Sequence, residues 1–147
     1  MKRSFLPFVL LLFVTACSTQ KGVVVNKPKL LDENTFVITE ISTDPSYGFT
    51  EKNPIKVGGV EAKQGPVNER RFLNALAGPN GEQISYRRAG SCCHFKTPNG
   101  LMGSGLLDRY RVTWEGSKDT LSIFINMYDY GTLQAPKGFR IKNKTMM

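Results

Sequence analysis

A single histidine, His94, stands in a chain of 147 residues. That scarcity excludes metal motifs built on two histidines. A histidine-based triad would have to recruit a sequence neighbour or an unmarked serine, and no Gly-x-Ser-x-Gly elbow supplies one. No phosphate-cradling glycine loop with its lysine occurs either. Gly58-Gly59 and Gly103-Ser104-Gly105 precede no predicted helix, so they read as turns or bulges rather than anion sites. Acidic residues are few, twelve against twenty Lys and Arg, for a net charge of +8. The basic residues are scattered, however, and no run reaches the five or six like charges that mark a binding tail. Nor does any apolar stretch approach the roughly 20 residues that cross a bilayer as a helix.

What is present begins with a leader. Met1-Lys2-Arg3-Ser4 is basic, Phe5 to Val14 is apolar apart from Pro7, and Val14-Thr15-Ala16 closes with small residues before Cys17. A charged start, an apolar centre and a small-residue cleavage site describe a secretory signal peptide. Val14-Thr15-Ala16-Cys17 resembles the bacterial lipobox, in which the cysteine thiol receives a diacylglyceryl group and the leader is cut just before it. Residues 1–16 are therefore expected to be a lipoprotein signal peptide and Cys17 the lipidation site. Ser18, rather than Asp, after that cysteine leans the sorting toward the outer membrane. Without Lys2 and Arg3 the mature chain carries a charge of about +6. Export removes nucleic acid as a partner. The expected partners are the membrane, through the lipid, and another envelope protein or an acidic glycan.

Residues 17–33 are polar and read as a lipidated N-terminus and tether, ending in a short strand at most. Sixteen flexible residues hold a domain on the order of 20 Å from its anchor. One globular domain is expected over 34–147. Thr35–Ile41 alternates with β-branched residues and reads as a strand, and Thr43-Asp44-Pro45-Ser46 breaks it. Pro54–Val60 reads as a second strand, with Gly58-Gly59 allowing a bulge or close approach. Pro66 opens a helix running to about Ala77, with Val67, Phe72, Leu73 and Leu76 toward the core and Gly78-Pro79 ending it. Gln83–Arg88 reads as a strand. Leu106–Trp114 and Leu121–Tyr128 alternate and should pair antiparallel across the loop Glu115–Asp119. Ala135–Phe139 reads as a closing turn before a frayed basic tail. The fold class is α+β, an antiparallel sheet of about five strands with one helix packed on a face. Tyr128, Tyr130 and Phe139 read as core or edge packing more than as a binding patch. Nothing pairs Asp108 or Asp129 for acid–base work.

Besides Cys17 there are two cysteines, adjacent at Cys92-Cys93 within Gly90-Ser91-Cys92-Cys93-His94-Phe95. Neighbouring α-carbons sit about 3.8 Å apart, below the usual disulfide range, so a bond between them closes a strained ring that is easily reduced. In a regular strand the two thiols point to opposite faces. The preceding Gly90-Ser91 and the Pro98-Asn99-Gly100 turn suggest a loop, where they can meet. Three readings stay open: a vicinal disulfide acting as redox switch or rigid knuckle, two buried thiols, and metal capture by Cys92, Cys93 and His94, for which no further Cys or His completes a site. No cofactor, metal or catalytic residue is expected.

The segments Tyr47–Gly59, Arg71–Leu76 and Ser91-Cys92-Cys93 resemble a family of small uncharacterised bacterial lipoproteins, over most of the mature domain. Members of that family sometimes carry the label 2-dehydro-3-deoxyphosphooctonate aldolase. Such aldolases are barrels of about 250 residues with repeated βα units, and this chain has one predicted helix. The resemblance implies a lipid-anchored envelope protein and brings no established activity with it. The expected function is thus an anchored structural or interaction domain; the alternative is an envelope redox protein or enzyme using Cys92 and Cys93.

Overall fold

The computed structural model describes residues 27–142. In chain order it contains β1 (Leu30–Asp32), β2 (Thr35–Phe36), β3 (Ile55–Lys56), α1 (Gly65–Asn74), β4 (Leu76–Ala77), β5 (Ile84–Leu101), β6 (Ser104–Trp114), β7 (Leu121–Asn126) and β8 (Arg140–Ile141). The fold is α+β with one helix among the described residues, but its strands do not form a single five-stranded antiparallel sheet. Four of them make the central sheet in the order β3-β7-β6-β5, and β1-β2 and β4-β8 are separate antiparallel pairs. β3 runs parallel to β7, matching Ile55 to Ile125 and Lys56 to Asn126.

The β6–β7 hairpin follows from its alternation. Asp108 faces Ile125, Tyr110 faces Ile123, and Val112 faces Leu121. With Ile55, these residues turn one face of the sheet toward α1. There Phe72, Leu73, Ile55, Val112, Ile123 and Ile125 are completely buried. This inner face is the core. Val67 is only half-buried, and the positions of α1 that turn inward are Asn68, Glu69, Phe72 and Leu73. The outer face carries Arg87, Arg109 and Arg111, and among the described residues no helix covers it.

Local expectations are corrected at the helix end, at the tail and at the first strand. The helix ends at Asn74, not Ala77, because Leu76–Ala77 pairs as a strand with Arg140–Ile141. Asn74 is itself held from outside the helix, donating to the Asn34 carbonyl (2.8 Å) and accepting from the Tyr86 hydroxyl (2.7 Å). The same β4–β8 pairing means that Arg140 and Ile141 are not a frayed tail. The strand expected over Thr35–Ile41 is regular only at Thr35–Phe36; beyond it Ile41 makes a single bridge to Ala135. Leu30–Asp32, within the stretch read as tether, pairs with β2.

Gly58 has φ +60°, and a Cβ there would lie 2.4 Å from the Tyr130 ring. That contact is the close approach that the glycine pair allows. The β5–β6 hairpin turns through Met102 and Gly103, with φ of +53° and +74°. Two positive φ angles in a two-residue loop are the type I′ pattern, which favours Asn-Gly. Methionine is costly in that conformation, so Met102→Asn should stabilise the domain by roughly 0.5–1 kcal/mol. Urea unfolding measures it; an unchanged or lower midpoint would count against a strained Met102.

Candidate functional site

β5 is the strand that does not alternate simply. Its register against β6 shifts between Arg88 and Gly90 and again between Cys92 and His94, leaving Ala89 and Cys93 as extra residues in two bulges. Cys93 has φ +57°, in the left-handed region that side chains avoid. That twist removes the opposite-faces obstacle of a regular strand. The two sulfurs lie 2.22 Å apart, at disulfide distance, across α-carbons separated by 3.7 Å. The pair therefore sits at a bulge inside a strand, not in the loop that its neighbours suggest. Both residues are half-buried.

Cys93 also walls a pocket of about 460 Å3 on the outer face of the sheet. β5 contributes Cys93 to Lys96, β6 Leu107, β3 Lys56, the end of β7 Asn126, and the loop before β3 Glu51 and Lys52. Phe95 stands in this wall and meets Tyr128 edge-on, ring centroids 5.9 Å apart. Gly105, opposite Phe95, leaves room for that pair: a Cβ there would sit 2.9 Å from Tyr128 and 3.0 Å from Phe95.

Asp129 braces the pocket. It accepts hydrogen bonds from Thr97 Oγ1 (2.6 Å), Asn99 Nδ2 (2.9 Å) and Asn126 Nδ2 (2.9 Å). Burial pushes its carboxyl up, but these donors and nearby Lys56 outweigh burial and hold it below the ordinary value. Its two oxygens are thus already engaged. The ammonium groups are not: among the described residues the one ion pair is Arg88–Asp108, and Lys52, Lys56 and Lys96 have no acidic partner within 4 Å. An exposed Glu51 is the other acid at the pocket.

A second cluster lies on the inner face, directly beneath this strand. Asp108 is 2% exposed and takes two bonds from Arg88, at 2.5 and 2.7 Å, and one from Ser91 Oγ at 2.8 Å. Glu69 of α1 is fully buried, and its Oε2 accepts from the Tyr110 hydroxyl at 2.9 Å. Its Oε1 has no partner. Burial, then the charge of Asp108, pushes the Glu69 carboxyl up to about 8. A protonated Glu69 is the species such a site holds at neutral pH, since an ionised carboxylate without a countercharge is expensive there. Burial also raises the Tyr110 hydroxyl, with Glu69 adding to it.

Of the residues singled out in the sequence, Cys17 lies outside the described residues. Asp108 and Asp129 are not paired with each other but each forms the hub of its own cluster. His94 is exposed at the pocket, and among the described residues no group of three His, Cys, Asp or Glu could hold a metal ion. Tyr128, Tyr130 and Phe139 do not gather: Phe139 packs on Phe49 and Trp114, Tyr128 on Phe95, and Tyr130 over Gly58. Glu69 and the pocket lysines went unremarked. Glu69 was findable, since it precedes Phe72 and Leu73 by three and four residues, on the helix stripe itself. No family model, curated protein or solved structure matches the chain.

Proposed function

We propose that the chain is a lipid-anchored protein of the cell envelope, held through Cys17, whose small domain is an interaction module with the outer-face pocket as its contact site. The pocket carries this reading. It falls within the about 300–1,000 Å3 span of ligand sites, mixes an aromatic wall with cations that are unpaired among the described residues, and lies on the sheet face that no described helix covers. The basic start, apolar centre and lipobox-like Val14–Cys17 support the anchor, and the expected sorting is to the outer membrane. Cys17→Ser should accumulate as an uncleaved precursor without lipid mass. In intact cells, a photocrosslinker in place of exposed Lys52 should capture an envelope component from the anchored wild type. Normal processing of Cys17→Ser removes the anchor reading, and a Lys52 probe that captures nothing removes the pocket reading.

A second reading rests on Cys93 in the pocket wall: the vicinal pair acts as a redox group toward a dithiol donor. Two electrons and two protons pass from the donor to the pair, breaking its S–S bond and closing a disulfide in the donor. Under denaturing conditions without reductant, neither thiol should alkylate, and mild reductant should add two alkyl groups by intact mass. Full alkylation without reductant sinks it.

A further inference from the structure

We infer that the outer face of the sheet binds an acidic polysaccharide, a carboxylate-bearing sugar chain running from the β5–β6 arginines into the pocket beside Cys93. This rests on the interaction reading above and names its ligand.

The register places Arg87 directly opposite Arg111, and Arg109 follows on the same face beside Gly90. Like charges facing across an antiparallel pair destabilise it. Yet among the described residues no acid lies within 4 Å of any of the three, and their one side-chain hydrogen bond is Arg111 donating to Ser122 Oγ at 3.3 Å. The row leads along the same face toward the pocket, where Lys56 stands without an ion pair among the described residues and Lys52 overhangs from the loop. A sheet that keeps repelling cations on its open face has a use for them, and an extended polyanion is what such a row neutralises.

Shape separates the candidates. Lipid headgroups present anions on a flat surface beside an apolar layer. Of the exposed apolar residues of the hairpin end, Leu101 (86%) and Met102 (94%) lie at its turn, and Leu106 (44%) alternates with Leu107 of the pocket and so lies on the opposite face of the sheet. A flat bilayer therefore cannot meet the arginine row and Leu106 at once. A sugar chain fits both parts of the outer face. Its carboxylates reach the guanidinium and ammonium groups, and the apolar face of a ring can lie on Phe95 and Cys93 in the pocket. Asp129, already bonded to Thr97, Asn99 and Asn126, supports the pocket; Lys56 biases it by charge but forms no ion pair with it.

The test uses the full chain in neutral detergent, titrated by calorimetry with alginate oligosaccharides, with neutral maltooligosaccharides and phosphatidylglycerol vesicles as the other arms. Alginate should bind, increasingly weakly with salt, and the neutral sugars should not. Arg87→Gln/Arg111→Gln and Lys52→Gln/Lys56→Gln should each weaken binding at least ten-fold. The arginine variant should also melt at the same or a higher temperature, because the facing repulsion is relieved. Equal binding of neutral sugars, binding to vesicles alone, or no loss in either variant overturns the inference. If a variant fails to fold, the wild-type salt dependence decides: salt-insensitive alginate binding overturns it as well. Failure here leaves the Cys17→Ser and crosslinking results untouched, so the two readings fall separately.

Discussion

Stability should fall as pH rises from about 5 to about 8, by on the order of 4 kcal/mol, and Glu69→Gln should flatten that slope. The unfolded Glu69 carboxyl loses its proton near 4.5, whereas the folded one keeps it to about 8. Between those values the folded state binds one more proton than the unfolded chain, so each pH unit removes about 1.4 kcal/mol. The stabilisation is complete below the unfolded value and lost as pH passes the folded one. Every group around Glu69 bears on the sign. Asp108 of β6 raises its carboxyl; Tyr110, also of β6, donates to it; Arg88 of β5 favours the charged form but is bonded to Asp108. Asp44, Glu82 and Asp129 have lowered carboxyls. Their contribution has the opposite sign and is lost only on acidification, below the Glu69 window. Urea unfolding at pH 5, 6, 7 and 8 reads the slope. An equal slope in Glu69→Gln would assign the effect to another group.

Ile125→Asp should abolish cooperative folding. Ile125 is the next-to-last residue of β7 and has no exposed surface, flanked by Ile55 on one side and Asp108 on the other. A carboxylate there would be buried without a countercharge and would add a third acid beside Asp108 and Glu69. An unpaired buried charge costs several kcal/mol against a total stability of about 5–15. Ile125→Val, which trims one methylene without adding charge, should cost only about 1 kcal/mol. Circular dichroism on heating distinguishes them. A cooperative melt of the Asp variant near the wild-type temperature would show that this face of β7 is not core.

The β6–β7 hairpin was legible because its two strands alternate cleanly and are joined by a short loop, so each residue announces its face. The parallel partner of β7 was not. Ile55 and Ile125 pair across seventy residues of sequence, and no local pattern specifies a contact at that range. The short strands had the same problem: Leu76–Ala77 reads as the last turn of a helix until Arg140–Ile141 supplies its partner. At the candidate site, adjacency made Cys92 and Cys93 visible, but the bulge that lets them meet depends on the register with β6. The pocket lysines come from three separate segments, each unremarkable alone. Glu69 is marked as inward only by its spacing from Phe72 and Leu73, since an acid in a helix ordinarily faces solvent.

Ala89 and Cys93 are spare length in β5. Each is a second residue set against one residue of β6, so each can be lost while the strands close up to a regular ladder. Shortening the strand by one residue anywhere between Arg88 and His94 can be absorbed by flattening one bulge, with no shift of Phe95, Lys96 or Thr97 against β6. The hairpin thus has about two residues of slack, placed just before the pocket wall. A deletion that would elsewhere turn a whole strand inside out is confined here to the few residues around the sulfur ring.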